Sequence, residues 1–138
     1  MILDKSLLLG DAQAITTSAA STNVIDTLAA GDAIKSNWFV VVVTTAFATA
    51  AGAATVTFQL QSDTAEGFTS SDAVTLAATS AISKDTLVAG YIAYRVRVPT
   101  GAKRYIRAYA VAGGSNISAG KVTWGLVSDP DINRLHNI

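Results

Sequence analysis

Apolar residues recur along this chain with a period of two, and that one feature excludes most folds. The clearest case is "ATVTFQLQS", where Val56, Phe58 and Leu60 alternate with Thr55, Thr57, Gln59 and Gln61. Successive side chains of a strand point to opposite faces, so the first three belong to a core face and the other four to solvent. "STNVIDTLAAGD" alternates briefly, with Ile25 opposed to Val24 and Asp26, before the turn signal Ala30-Gly31-Asp32. "WFVVVVTTAF" is a continuous β-branched run, the pattern of a strand covered on both faces. "AVTLAATS", "YIAYRVRV", "RYIRAYAVA" and "AGKVTWGLVSD" complete the set, and "SKDTLVAG" has the Ser cap and Gly stop of a helical turn. Polar or Gly-rich connections separate these runs, and no long helical pattern occurs. The reading is an all-β sandwich or barrel of about eight strands rather than βαβ units.

Two stretches imitate membrane or export signals. No charge lies between Lys35 and Asp63, a length that would span a bilayer. Its Thr and Val content, its closing alternation and Gly52 fit two strands joined by "TAAGAA" better. The start, "MILDKSLLLGDAQA", has an apolar run too short for a signal peptide, and Asp4 and Asp11 flank it. A single soluble domain over 1–138 is expected, without an export signal, with an N-terminal arm over 1–12 and a C-terminal tail over 129–138. Ile2, Leu3, Leu7, Leu8 and Leu9 give the arm apolar anchors outside any alternating strand. They either tuck under the protein's own sandwich or reach a neighbouring subunit.

Chemistry finds little support. The chain has no cysteine, which removes disulfides, zinc–thiolate sites and thiol nucleophiles together. The one histidine, His136, lies in the tail and gives a catalytic triad no anchored base. The one glutamate, Glu66, sits in a loop. Asp63 with Glu66, or Asp129, Asp131 and Asn133, are the acidic groupings a metal would need, and the second resembles a calcium loop but has neither the glycine nor the closing glutamate of an EF-hand. No catalytic, metal or cofactor residue is assigned, and the expectation is a protein that is not an enzyme. Trp38 and Trp124 read as core or sheet-edge packing.

Charge does concentrate in one place. "YIAYRVRVPTGAKRYIRAYA", residues 91–110, holds Arg95, Arg97, Lys103, Arg104 and Arg107, five of the chain's ten basic residues, and all four of its tyrosines. Read as a hairpin, it turns Tyr94, Val96 and Val98 inward with Ile106, Ala108 and Ala110. The other face then carries Arg95 and Arg97 beside Tyr105, Arg107 and Tyr109. Arg and Tyr are enriched at interface hot spots, and basic residues interleaved with aromatics also suit single-stranded nucleic acid. A solvated outer sheet face explains the same pattern. Ten acids balance ten bases, so no basic field draws the whole molecule to nucleic acid or an anionic membrane. Arg95, Arg97, Tyr105, Arg107, Tyr109 and the four leucines are the candidate protein-contact residues.

"MILDKSLLLGDAQAI", "VTFQLQSD" and "LVAGYIAYRVRVPTGAKRYIRAYAVAGG…AGKVTWGLV" occur in an order that resembles the capsid cement, or decoration, proteins of tailed bacteriophages. The resemblance is to a short jelly-roll group exemplified in a Bordetella podovirus. It implies a jelly-roll sandwich with no catalytic residues. It further implies a homodimer or homotrimer on the outer surface of an HK97-type icosahedral capsid, made in the host cytoplasm and bridging subunits of the phage major capsid protein. Jelly rolls also occur in lectins, so the competing expectation is a carbohydrate-binding or adhesion module, for which Tyr91 and Trp124 are the available aromatic platforms.

Overall fold

The computed structural model describes residues 7–28, 37–49, 51–69 and 73–127. The described residues form ten strands: β1 (Leu8–Ala14), β2 (Ala19–Ala20), β3 (Ile25–Asp26), β4 (Trp38–Thr49), β5 (Ala54–Asp63), β6 (Val74–Ala78), β7 (Ile82–Ser83), β8 (Ile92–Arg97), β9 (Tyr105–Gly114) and β10 (Ile117–Val127). All pairing is antiparallel. One sheet has the order β1-β10-β4-β8 and the other β2-β9-β5-β6, with β3 also on β9 and β7 also on β5. Counting β2 with β3 and β6 with β7 as single interrupted strands leaves eight, in the orders 1-8-3-6 and 2-7-4-5. That is the order of a jelly roll, two Greek keys folded into facing sheets.

The period-two reading holds where it was clearest. Val56, Phe58 and Leu60 of β5 are buried, and the residues between them are half-buried on the other face. Phe58 crosses the interior to meet Trp124 of β10 edge-to-face, with ring centres 6.1 Å apart, and so ties the two sheets together. The uncharged stretch becomes β4 and β5, which lie in opposite sheets. β4 sits between β10 and β8, and its Phe39, Val40, Val41 and Val43 are buried, so the run is covered on both faces over 39–43, whereas Thr44, Thr45 and Ala46 are exposed. Near 83–90 a turn forms in which Thr86 N–H donates to Ser83 O and Leu87 N–H to Lys84 O, burying Leu87.

Two expectations need correction. The segment 91–110 is not a hairpin: β8 pairs with β4 in one sheet, and β9 pairs with β5, β2 and β3 in the other. Its connection, 98–104, bridges the sheets. Val98 N–H still bonds Asn37 O on the first side, whereas Lys103 N–H reaches Ser62 Oγ at 2.5 Å and Arg104 O accepts Thr27 N–H on the second. Val98 and Ala102 are buried along the way. A tight hairpin loop of two to five residues does neither.

The other correction concerns the expected arm. From Leu8 onward it is strand β1, paired with β10; Leu9 is fully buried in the core and Leu7 packs against it. Two register shifts, on either side of Gly10, break the alternation, and Ala12 takes φ 48° within the second. Gly10 is needed there: a Cβ would lie 2.5 Å from Gln13 Oε1 and 2.6 Å from Trp124 Nε1. Those two atoms are bonded to each other at 3.0 Å. Gln13 also accepts Thr22 N–H and donates to Ala20 O, stapling β1 to β10 and to the 20–22 backbone. Ile2, Leu3, the Ala30-Gly31-Asp32 turn, Asp129, Asp131, Asn133, His136 and the tail 129–138 lie outside the described residues.

Candidate protein-contact surfaces

Strand parity within 91–110 follows the reading even though the pairing does not. Ile106, Ala108 and Ala110 are buried, and Tyr105, Arg107 and Tyr109 face outward, half-buried. Arg95 and Arg97 are exposed on β8, opposite Val40 and Trp38 of β4. Because β8 and β9 belong to different sheets, the two sets occupy opposite outer faces of the sandwich. The basic cluster in the sequence is thereby dispersed. Two arginines lie on one face and one on the other, Lys103 is in the crossover, and Arg104 is engaged in structure.

Arg104 binds Asp26 with both ends of its fork, Nε to Oδ1 at 2.7 Å and Nη2 to Oδ2 at 2.9 Å. The bond from Arg104, helped by the Leu28 N–H, holds the Asp26 carboxyl below its ordinary value, and the same pair raises the Arg104 guanidinium. Both partners are substantially exposed, so the pair orients β3 on β9 more than it stabilises the fold. Leu28, just beyond it, has φ 70° and is 78% exposed.

Arg107 has the most constructed surroundings of the candidates. Its Nε donates to Gln61 Oε1 at 2.8 Å, and its guanidinium carbon lies 4.2 Å from the ring centre of Phe68 and 5.2 Å from that of Tyr109. Burial pushes its pKa down, and the charges of Tyr109 and Asp63 push the other way. Gln61 is in turn held by a bond from its Nε2 to Gln59 Oε1. Phe68 reaches Arg107 through the 64–69 turn, closed by Phe68 N–H to Ala65 O, with Phe68 itself at φ 54°. A left-handed residue that carries a Cβ costs roughly 1–2 kcal/mol. Asp63, beneath this turn, is fully buried and accepts Thr64 N–H at 2.6 Å.

Sequence reasoning named Arg107 and Tyr109 but missed Phe68, Gln61 and Gln59 as their partners. The signal for Phe68 was present: one aromatic in the polar stretch "SDTAEGFTSSD" needs something to cover. Of the two aromatic platforms considered, one is lost. Trp124 is fully buried and is no sugar platform, while Tyr91 stays partly exposed. Asp63 is buried and Glu66 exposed, and among the described residues no three acids or histidines gather as a metal site would require. A polar cleft of about 190 Å³ between 16–18 and 112–117 contains no charged or aromatic side chain.

In comparison with known proteins, the family model Bbp16 matches residues 9–126, which covers β1 from Leu9 and nearly all of β10. No curated protein matches the chain.

Proposed function

The chain belongs to the Bbp16 family, whose name points to a Bordetella phage protein, and from that premise we propose that it is a capsid cement protein. In this reading it binds the outer surface of an icosahedral phage head and bridges neighbouring subunits of the major capsid protein, as a homodimer or homotrimer. It carries out no catalysis.

The observation that supports this most directly is the placement of two Arg-bearing faces on opposite sheets of one sandwich. A bridge needs two separated surfaces on a stiff body. The jelly roll supplies stiffness through a shared core that includes Phe58, Trp124, Phe39 and Leu9. Arg and Tyr are the residue types that concentrate binding energy when they are held in place, and many copies on a shell multiply a modest contact through avidity. The dispersal of the basic residues leaves no continuous cationic stripe among the described residues, which a single-strand binder needs.

The test is reconstitution. Phage heads lacking the protein are mixed with the purified chain and sedimented, and native particles are analysed by mass spectrometry. The expected result is saturable binding at a stoichiometry commensurate with the capsid lattice, with heads that resist heating better than bare ones. Absence from native particles, together with failure to co-sediment, refutes the reading.

A further inference from the structure

The 64–69 turn does more than connect strands. It places a bulky residue in the left-handed backbone region and lays that residue's ring over Arg107. Strain of this kind persists only where the surroundings hold it, and it gathers at recognition sites. Arg107 is consequently fixed on three sides, by Phe68, by Tyr109 and by Gln61 Oε1. Its two Nη groups are different. Among the described residues neither has an acceptor, and the charge of Asp63 acts on the guanidinium electrostatically. Among the described residues no buried side-chain nitrogen lacks a partner, so these groups open to solvent.

A guanidinium that is already ordered and partly dehydrated gives up little freedom on binding. Its free edge presents two parallel N–H donors, the geometry that a planar carboxylate accepts with both oxygens. We propose that Arg107, clamped between Phe68 and Tyr109, is an anchor that receives an Asp or Glu side chain of a protein partner. The occupant follows from charge and composition. The outward residues of β5 and β9 around it are Tyr, Gln, Thr and Val, and Arg107 is the one cation among them. One cation flanked by tyrosines suits a protein carboxylate, whereas a nucleic-acid backbone calls for several. The partner's identity rests on the contact reading above; the carboxylate chemistry does not.

The experiment is an NMR titration of the full chain, following the Arg107 Nε–H and the Tyr109 ring, with hexaglutamate as probe and inorganic phosphate and oligothymidylate as comparisons. Hexaglutamate is expected to shift both signals saturably. Arg107→Lys, which keeps the charge and loses the fork, should weaken this at least tenfold. Phe68→Ala should weaken it as well, with the fold intact by circular dichroism. The proposal is overturned if hexaglutamate produces no saturable shift, or if the Lys variant binds like wild type. Tighter titration of the same signals by phosphate or oligothymidylate also overturns it, in favour of a phosphate site. Bare heads are not used, so a failed reconstitution would refute the cement reading and leave this titration to stand or fall alone.

Discussion

Replacing Phe58 by Ala tests the fold where its two sheets meet. Phe58 is 0% exposed and is the β5 residue whose ring meets Trp124 across the interior at 6.1 Å and 86°. Removing a buried Phe ring costs about 3–5 kcal/mol, part transfer energy and part cavity. The lost edge-to-face pair, worth about 0.5–1.5 kcal/mol beyond its area, argues for the upper half of that range. Against a total stability of roughly 5–15 kcal/mol, the loss is about a quarter or more. In a domain of this size it lowers Tm by roughly 10–20 °C. Urea unfolding followed by Trp fluorescence measures it directly, since Trp124 is both neighbour and reporter. Gln59→Ala, one residue along and facing outward, is the control, expected to stay within about 0.5 kcal/mol. Losses of similar size at the two positions, or a Phe58 loss below about 1 kcal/mol, would refute the register of β5 and with it the position of the core.

Gln13→Leu should cost about 1–3 kcal/mol, because Trp124 Nε1–H and Thr22 N–H lose their acceptor together; the same urea experiment reads it, with a changed Trp124 emission as corroboration. The Asp26–Arg104 pair predicts a pH effect of definite sign. Asp26 is held below its unfolded value of 3.8, so its contribution is complete above that pH and disappears as pH falls through the lower folded value. Acid-unfolding curves of wild type and Asp26→Asn should therefore converge at the acid end and separate above about pH 4. Parallel curves throughout would mean that the pair does not form.

What the sequence made legible was everything governed by strand parity. Val56, Phe58 and Leu60, and Ile106, Ala108 and Ala110, follow from spacing alone, because a strand's faces alternate wherever the strand lies; the β-branched run likewise marked the first half of β4 as covered on both faces. What it hid was governed by which strands are neighbours. Nothing local in "VRVPTGAKRY" says whether the chain turns back within one sheet or crosses to the other; the decision lies in distant partners, Asn37 on one side and Ser62 and Thr27 on the other. β1 was hidden for a second reason. Its bulges erase the alternation, so "LLLGDA" reads as the end of an arm although Leu9 is fully buried. The Arg107 clamp was hidden because its parts come from β5, the 64–69 turn and β9, which only the folded chain brings together.

A jelly roll changes sheets at almost every connection, so a cluster that spans a connection is divided between opposite faces. Arg95 and Arg97 therefore cannot share one flat contact with Arg107: the sheets are about 10 Å apart, and outward side chains widen that separation. If the protein bridges a lattice, the two faces serve different neighbours. The prediction is a separation of phenotypes. Arg95→Ala with Arg97→Ala should impair one of two measurements, self-association by sedimentation velocity or binding to bare heads, and Arg107→Lys should impair the other. Loss of a held interface Arg can cost about 2 kcal/mol, some thirtyfold in affinity, so the effects will be well resolved. All variants should unfold in urea like wild type, since none of the three arginines is in the core. If both variants impair the same measurement and leave the other untouched, a single partner wraps around the sandwich edge and the two-face bridge is wrong. If neither measurement changes, these arginines are solvated surface, and the contact belongs to residues that spacing in the sequence did not single out.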